Sequence, residues 1–278
     1  RILFLQIVQA NIDSRNDVDW YQIRLLGERY VQARLCRLPP NAGLTVRVLN
    51  ENGSTVLTGR QRPGETEFTI GGRLSTGFYH VVVTADQPFP FDSYTMQFTQ
   101  QELVAGFRDI KGHWAEQTIV QMTQGGVFTG VGDFRFAPNE PMTRVLVADV
   151  LNKVYRYPAP SRVTNYTDLS SQHWAFDPIQ RVTHANILTG YPNGSFQPNR
   201  SITRAEAAVI VSRIYKQPMS VRNRNFSDLK NDHWAFASIQ RAAHLGLLQG
   251  YEDGTFRPNQ PMTRAEFATL INRMSNNR

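Results

Sequence analysis

The tripeptide His-Trp-Ala stands at 113–115, 173–175 and 233–235, each copy sixty residues after the last. The same interval separates Gly130, Gly190 and Gly250, then Phe136, Phe196 and Phe256, and then Pro138, Pro198 and Pro258. It holds again for Thr143-Arg144, Thr203-Arg204 and Thr263-Arg264. An aromatic-x-Asp precedes each copy, as Phe107/Asp109, Tyr166/Asp168 and Phe226/Asp228, with a one-residue length change in the first. A fixed period of this length marks repeated supersecondary units. Units this small cannot close a core alone, so the three are expected to pack against one another.

Each unit reads as helix, loop, helix. The second helix carries apolar residues at i, i+3, i+4 and i+7: Val147, Val150, Leu151, Val154; Ala207, Ile210, Val211, Ile214; Phe267, Leu270, Ile271, Met274. That spacing lines one face of a helix and predicts one buried stripe per copy. The first helix follows His-Trp and carries Ile179, Val182 and Ile187, or Ile239, Ala242 and Leu247. Between the helices, GYPNGSFQPN and GYEDGTFRPN cannot continue a helix and read as turns. RYPAPSRVTN (156–165) and KQPMSVRNRN (216–225) read as linkers.

The start of the second helix is unusual. Thr203 is a good N-cap, and Glu206 stands three residues on, where it completes a capping box. Arg204 then falls in the first turn, where the helix dipole disfavours a cation by roughly 0.3–1 kcal/mol. One reading is that Arg144, Arg204 and Arg264, together with free N–H groups of the helix start, converge on an anion. The other is an internal ion pair with the aromatic-x-Asp of the same or next repeat. The first copy has Val145-Leu146 after its arginine, so it lacks the capping glutamate, and it carries GVGDFRF in place of GY-x-x-G-x-F. Sites around Arg204 and Arg264 are therefore favoured over one at Arg144. Trp114, Trp174 and Trp234 would stack on a sugar face or sit in the core, and Tyr191 and Tyr251 are comparable groove candidates, with Val131 in that place in the first copy. The histidines at 113, 173 and 233 lack metal-ligand spacing and are read as capping the helix that follows. Asn193-Gly194 and Asp253-Gly254 lack the spacing and terminal glutamate of a calcium loop.

The aromatic-x-Asp, His-Trp-Ala, Gly-Tyr turn and Thr-Arg-Ala-Glu start together resemble the S-layer homology (SLH) domain, over about 107–278. The resemblance implies a mainly α-helical pseudo-threefold bundle of three repeats, 107–157, 166–216 and 226–278, whose inter-repeat grooves hold a cell-wall polysaccharide bearing ketal-linked pyruvate. By the family pattern the ligand would meet Asp109, Asp168, Asp228, Trp114, Trp174, Trp234, the turn glycines Gly190 and Gly250, and the three arginines.

Residues 1–100 switch to period two. Tyr21, Ile23 and Leu25 alternate with polar neighbours, as do Val31, Ala33 and Leu35, and Val46 and Val48. Glu51-Asn52-Gly53-Ser54 is a hairpin signal between two such runs. The apolar start, RILFLQIVQA, is read as a first strand of a mature or trimmed chain. Short strands with regularly spaced turns predict an all-β sandwich, joined to the repeats by a linker at 101–106. NDVDWYQIRL and LPPNAGLTVRVLNENGS resemble the pre-peptidase C-terminal (PPC) type of bacterial sandwich, an accessory module of secreted and envelope proteins. Asp13, Asp17 and Asp19 could hold calcium through oxygen ligands; a solvated loop start is the other reading.

Charge separates the two parts. Residues 1–106 hold 10 Lys/Arg and 10 Asp/Glu, and 107–278 hold 20 and 13, so the whole net charge of +7 lies on the repeats. That predicts an anionic partner for the repeats. Basic residues are dispersed without a nucleic-acid reader motif, so nucleic acid is not the expected partner. One cysteine, Cys36, excludes an internal disulfide and a Cys-based zinc site, and it lies in a strand whose alternation offers no neighbouring base. No nucleophile elbow, zincin or phosphate-loop motif is present. The reading is a non-enzymatic anchor in the cell envelope with no catalytic residue, metal or cofactor. Its partners are the pyruvylated secondary cell-wall polysaccharide, the peptidoglycan sacculus and, through the sandwich, other envelope proteins. The alternative is an accessory portion of a secreted protease or cell-wall hydrolase.

Overall fold

The computed structural model describes residues 5–90, 92–216 and 223–276. Residues 1–4 of the expected first strand, 217–222 of the second linker and 277–278 of the last repeat lie outside them. The chain divides into two compact units, Arg1–Lys111 and Gly112–Arg278.

Among the described residues the first unit has eight strands: β1 Leu5–Ala10, β2 Asp19–Leu25, β3 Arg29–Cys36, β4 Thr45–Leu49, β5 Thr55–Arg60, β6 Glu67–Leu74, β7 Gly77–Thr84 and β8 Tyr94–Glu102. They form two antiparallel sheets of four, ordered β1-β8-β3-β6 and β2-β7-β4-β5. The period-two pattern sends Ile23, Leu25, Val31, Ala33, Leu35, Val46 and Val48 into one core, as the alternation requires. Gly53 adopts φ +75 in the β4–β5 turn, where the Asn50 side chain accepts from the Asn52 and Ser54 N–H groups. The expected hairpin is therefore present.

Asp19 does not join its acidic neighbours. Its carboxylate accepts from Tyr94 O–H at 2.6 Å, and Tyr94 also bonds Tyr21 at 2.9 Å. Burial pushes the Asp19 carboxyl up from its ordinary value, Tyr94 holds it down, and Asp17 and Asp13 push it up again. Asp17 instead accepts the Asp13 backbone N–H. Among the described residues no group of three or more His, Cys, Asp and Glu is arranged to hold a metal ion. Cys36 ends β3 opposite Glu67, with Sγ 3.8 Å from the carboxylate, so the expectation of no nearby base is corrected. That carboxylate is already paired with Arg34.

Among the described residues the second unit has six helices: α1 Glu116–Gln124, α2 Arg144–Tyr155, α3 Phe176–His184, α4 Arg204–Ile214, α5 Phe236–His244 and α6 Arg264–Asn276. The second-helix stripes are buried as expected, including Val147, Leu151, Ala207, Val211, Phe267 and Ile271. Ile187 and Leu247 are buried too, but beyond the ends of α3 and α5 rather than on them. Packing runs between copies: α2 against α3, α4 against α5, and α6 back against α1. The second helix of each repeat thus covers the first helix of the next, and the third closes on the first.

A backbone ring sits where the copies meet. Met142 N–H donates to Met262 C=O at 2.8 Å, Met262 N–H to Ile202 C=O at 2.9 Å, and Ile202 N–H to Met142 C=O at 2.8 Å. These three side chains, one per repeat, are buried. Each copy has a donor and an acceptor that only its neighbours can satisfy, so none completes its own hydrogen bonding. No helix among the described residues is long and apolar enough to cross a membrane.

Candidate functional site

The repeated arginine is answered by ring closure. Arg144 Nε donates to Phe196 C=O at 2.9 Å and its Nη2 to Thr189 C=O at 2.7 Å. Arg204 bonds Phe256 C=O at 2.8 Å and Gln249 C=O at 2.6 Å, and Arg264 bonds Phe136 C=O at 2.8 Å and Thr129 C=O at 2.7 Å. Each guanidinium therefore staples the turn of the next repeat, in the order one to two, two to three, three to one. The three residues are 2%, 5% and 4% exposed. Arg144 and Arg204 also lie over aromatic faces, at 4.7 Å from both Tyr191 and Phe196, and at 4.8 and 4.6 Å from Tyr251 and Phe256. Burial pulls both guanidinium pKa values below their ordinary range; Tyr191 and Glu206 push Arg144 back up, as Tyr251 and Glu266 do Arg204.

Two expectations fall here. The first two N–H groups of each second helix are not free for an anion: Arg144 N–H donates to Arg200 C=O and Val145 N–H to Pro198 C=O, both at 2.9 Å. The same pair recurs as Arg204 to Gln260 and Ala205 to Pro258, and as Arg264 to Glu140 and Ala265 to Pro138. For Asp168 and Asp228 the expected Arg–Asp ion pair is also replaced. Asp168 accepts the Phe196 and Gln197 N–H groups, both at 2.8 Å, and Asp228 accepts those of Phe256 and Arg257, both at 2.7 Å. Both aspartates hold the turn of their own repeat, and that turn presents the carbonyls the preceding arginine bonds. Asp109 belongs to the first unit.

The capping box forms as expected. Thr203 Oγ1 accepts the Glu206 N–H at 3.2 Å while Glu206 Oε2 accepts the Thr203 N–H at 2.9 Å, and Thr263 and Glu266 repeat the exchange. Thr143, without its glutamate, makes no side-chain cap bond. The histidine expectation also holds: Nδ1 of His113, His173 and His233 accepts the N–H two residues on, at 3.1, 3.1 and 3.2 Å. With the histidine turned in, the tryptophan is turned out. Trp114, Trp174 and Trp234 are 65%, 61% and 66% exposed, which removes the core reading.

Gly190 and Gly250 are required by close approach. A Cβ on Gly190 would stand 2.3 Å from the Tyr166 ring and one on Gly250 2.5 Å from the Phe226 ring. The aromatic of the aromatic-x-Asp thus packs directly against the turn glycine, and the Tyr166 hydroxyl oxygen accepts the Gly190 N–H at 3.1 Å.

These parts meet in a cleft of about 240 Å³ drawn from all three repeats. Repeat one gives Arg144, repeat two gives Gly190, Tyr191, Glu206 and Arg213, and repeat three gives Trp234. Tyr191 O–H donates to Glu206 Oε1 at 3.1 Å, and Arg200 bonds the same Glu206 oxygen and Tyr191. Burial raises the Tyr191 pKa, so it stays a neutral donor. The cleft holds cationic, anionic and hydroxyl groups beside an exposed indole, which suits a polar ligand with a flat apolar face.

The cleft lies on the arginine that sequence reasoning favoured least. The defect assigned to Arg144 belongs elsewhere, because each arginine is completed by the next repeat's turn. The turn facing Arg144 is the intact GYPNGSF, whereas the altered GVGDFRF of repeat one faces Arg264. Sequence reasoning also missed Glu206, Arg200 and Arg213 as cleft residues. Glu206 was visible only as a cap, and its second carboxylate oxygen gave no separate signal.

Three helix–loop–helix repeats closed into a ring, with a mixed polar and aromatic cleft between them, define a helical repeat protein. The S-layer homology domain family model matches residues 106–144, 165–208 and 225–268, one match in each repeat. The chain is 50% identical over 91 residues to cell surface glycoprotein 1 of Acetivibrio thermocellus, covering 32% of this chain and 4% of that protein. It is 46% identical over 91 residues to the cellulosome-anchoring protein of the same organism, covering 31% and 20% respectively. The chain thus spans a small share of these relatives' length. The pre-peptidase C-terminal domain of a Bacillus anthracis collagenase aligns on 35% of this chain and 90% of that domain, at 11% identity and a TM-score of 0.28.

Proposed function

We propose that the second unit is a non-enzymatic, glycan-binding anchor that holds the chain in the cell envelope, on a peptidoglycan-linked polysaccharide carrying ketal pyruvate. The observation that carries this reading is the cleft, where an exposed Trp234 and a buried Arg144 from different repeats flank Tyr191 and Glu206. Nε and Nη2 of Arg144 are committed to carbonyls, which leaves Nη1 to meet a carboxylate. Arg213 adds a second cation at the cleft wall. Trp234 covers a sugar face, and the Glu206 carboxylate accepts sugar hydroxyls. The names of the two Acetivibrio relatives, a cell surface glycoprotein and a cellulosome-anchoring protein, support a surface-anchoring role.

The first unit, on the PPC-like reading, is a spacer or docking module for other envelope proteins, and no catalytic step is assigned to either unit. The test is sedimentation with purified sacculi before and after mild acid removal of ketal pyruvate. Retention is expected to fall at least tenfold after acid. Equal retention on both preparations overturns the pyruvate reading, and retention by neither overturns the anchor.

A further inference from the structure

Residues 1–106 are neutral overall, yet the charges on their strands are segregated. On the sheet ordered β2-β7-β4-β5, the core-facing side takes Ile23, Leu25, Tyr79, Val81, Val46 and Val48. The opposite side carries Trp20 and Arg24 from β2, Phe78 and His80 from β7, Arg47 from β4 and Arg60 from β5. The only acid in these four strands is Asp19, and it is bonded to Tyr94. Asp86, beyond β7, offsets Arg60, and Glu51 of the β4–β5 turn accepts the Phe78 N–H at 3.0 Å.

Trp20 is 59% and Phe78 42% exposed, although a large aromatic on an outer face without a partner is costly to hydrate. Both are held in place. Trp20 meets His80 edge-on with centroids 6.0 Å apart, and Arg24 lies 5.3 Å over the Phe78 ring. Trp20 and Arg47 both pair with Val82, so they stand in one row, two strands and roughly 10 Å apart. A flat indole with a cation across one intervening strand matches a sugar ring followed by an acidic group. With Asp86 on Arg60 and Glu51 beside Phe78, Arg24 and Arg47 still leave the face net basic, which favours an anionic partner.

We propose that this sheet face is a second binding site, for an anionic glycan, with Trp20 stacked on a sugar ring and Arg24 and Arg47 pairing with carboxylates. The site is separate from the inter-repeat cleft, so it stands or falls independently of the anchor reading.

The experiment is affinity electrophoresis of the full chain in gels containing polygalacturonate, with fully methyl-esterified polygalacturonate as the neutral counterpart. The chain is expected to be retarded by the acidic polymer and not by the ester. Trp20→Ala and Arg47→Glu should each weaken retardation at least tenfold with unchanged melting, while the charge-matched Arg162→Glu, at an exposed residue outside both sites, leaves it unaltered. No retardation of the wild type, equal retardation by the ester, undiminished retardation of Trp20→Ala and Arg47→Glu, or an equal loss in Arg162→Glu overturns the proposal.

Discussion

The Arg144 cleft and its counterpart at Arg264 are built from the same staple but different linings. Both arginines bond two carbonyls of the next repeat's turn. Around Arg144, the next repeat supplies Tyr191, Arg200, Glu206, Val209 and Arg213. In register, the repeat after Arg264 supplies Val131, Glu140, Leu146, Asp149 and Lys153, and that lysine is already paired with Asp149. The aromatic hydroxyl is gone and two acids stand where an arginine and a valine were. The staple stands in both places, and the lining proposed for an acidic ligand in only one. On that proposal, structural and ligand-directed work are separable in this module, even where one side chain does both.

The largest effect tests the shared part. Arg144→Ala and Arg264→Ala should each destabilise the second unit by about 2–4 kcal/mol in urea melts, because two buried carbonyls lose their donor. Near-equal losses support the staple; an unaltered melting curve for either breaks it. Next, Trp234→Ala should weaken binding to pyruvylated sacculi by about thirtyfold, as loss of an aromatic anchor does, with no change in stability. Trp174, which the repeat register assigns to the Arg264 side, should tolerate alanine within twofold, and equal losses at both tryptophans would erase the distinction between the clefts. A repair follows: Val131→Tyr combined with Glu140→Gln should add one binding site per chain, counted by calorimetry with a pyruvylated disaccharide. The smallest effect is Leu146→Glu, which restores the missing capping box and should stabilise by about 1 kcal/mol without altering binding at the Arg144 cleft.

Much of this architecture was legible because it is local. The helix stripes, the Thr203–Glu206 box, the histidine caps and the Asn50–Ser54 hairpin each depend on residues a few positions apart. So does the outward tryptophan, once the preceding histidine is seen to turn in. The misreadings concern partners far along the chain. The aspartates were matched to arginines by charge, whereas backbone N–H groups of the turn reach them first. The N–H groups at the helix starts looked free because their acceptors, such as Arg200 C=O for Arg144, belong to another repeat.

The amino-acid order by itself determined the sixty-residue unit, its two helices, its turn and the preceding sandwich strands, since periodicity and caps act over one or two helical turns. Which arginine meets which turn was decided by the tertiary structure. Ring closure passes every buried donor to the neighbouring copy, so a defect written in repeat one is felt at the arginine of repeat three. No pattern within a single repeat records that transfer.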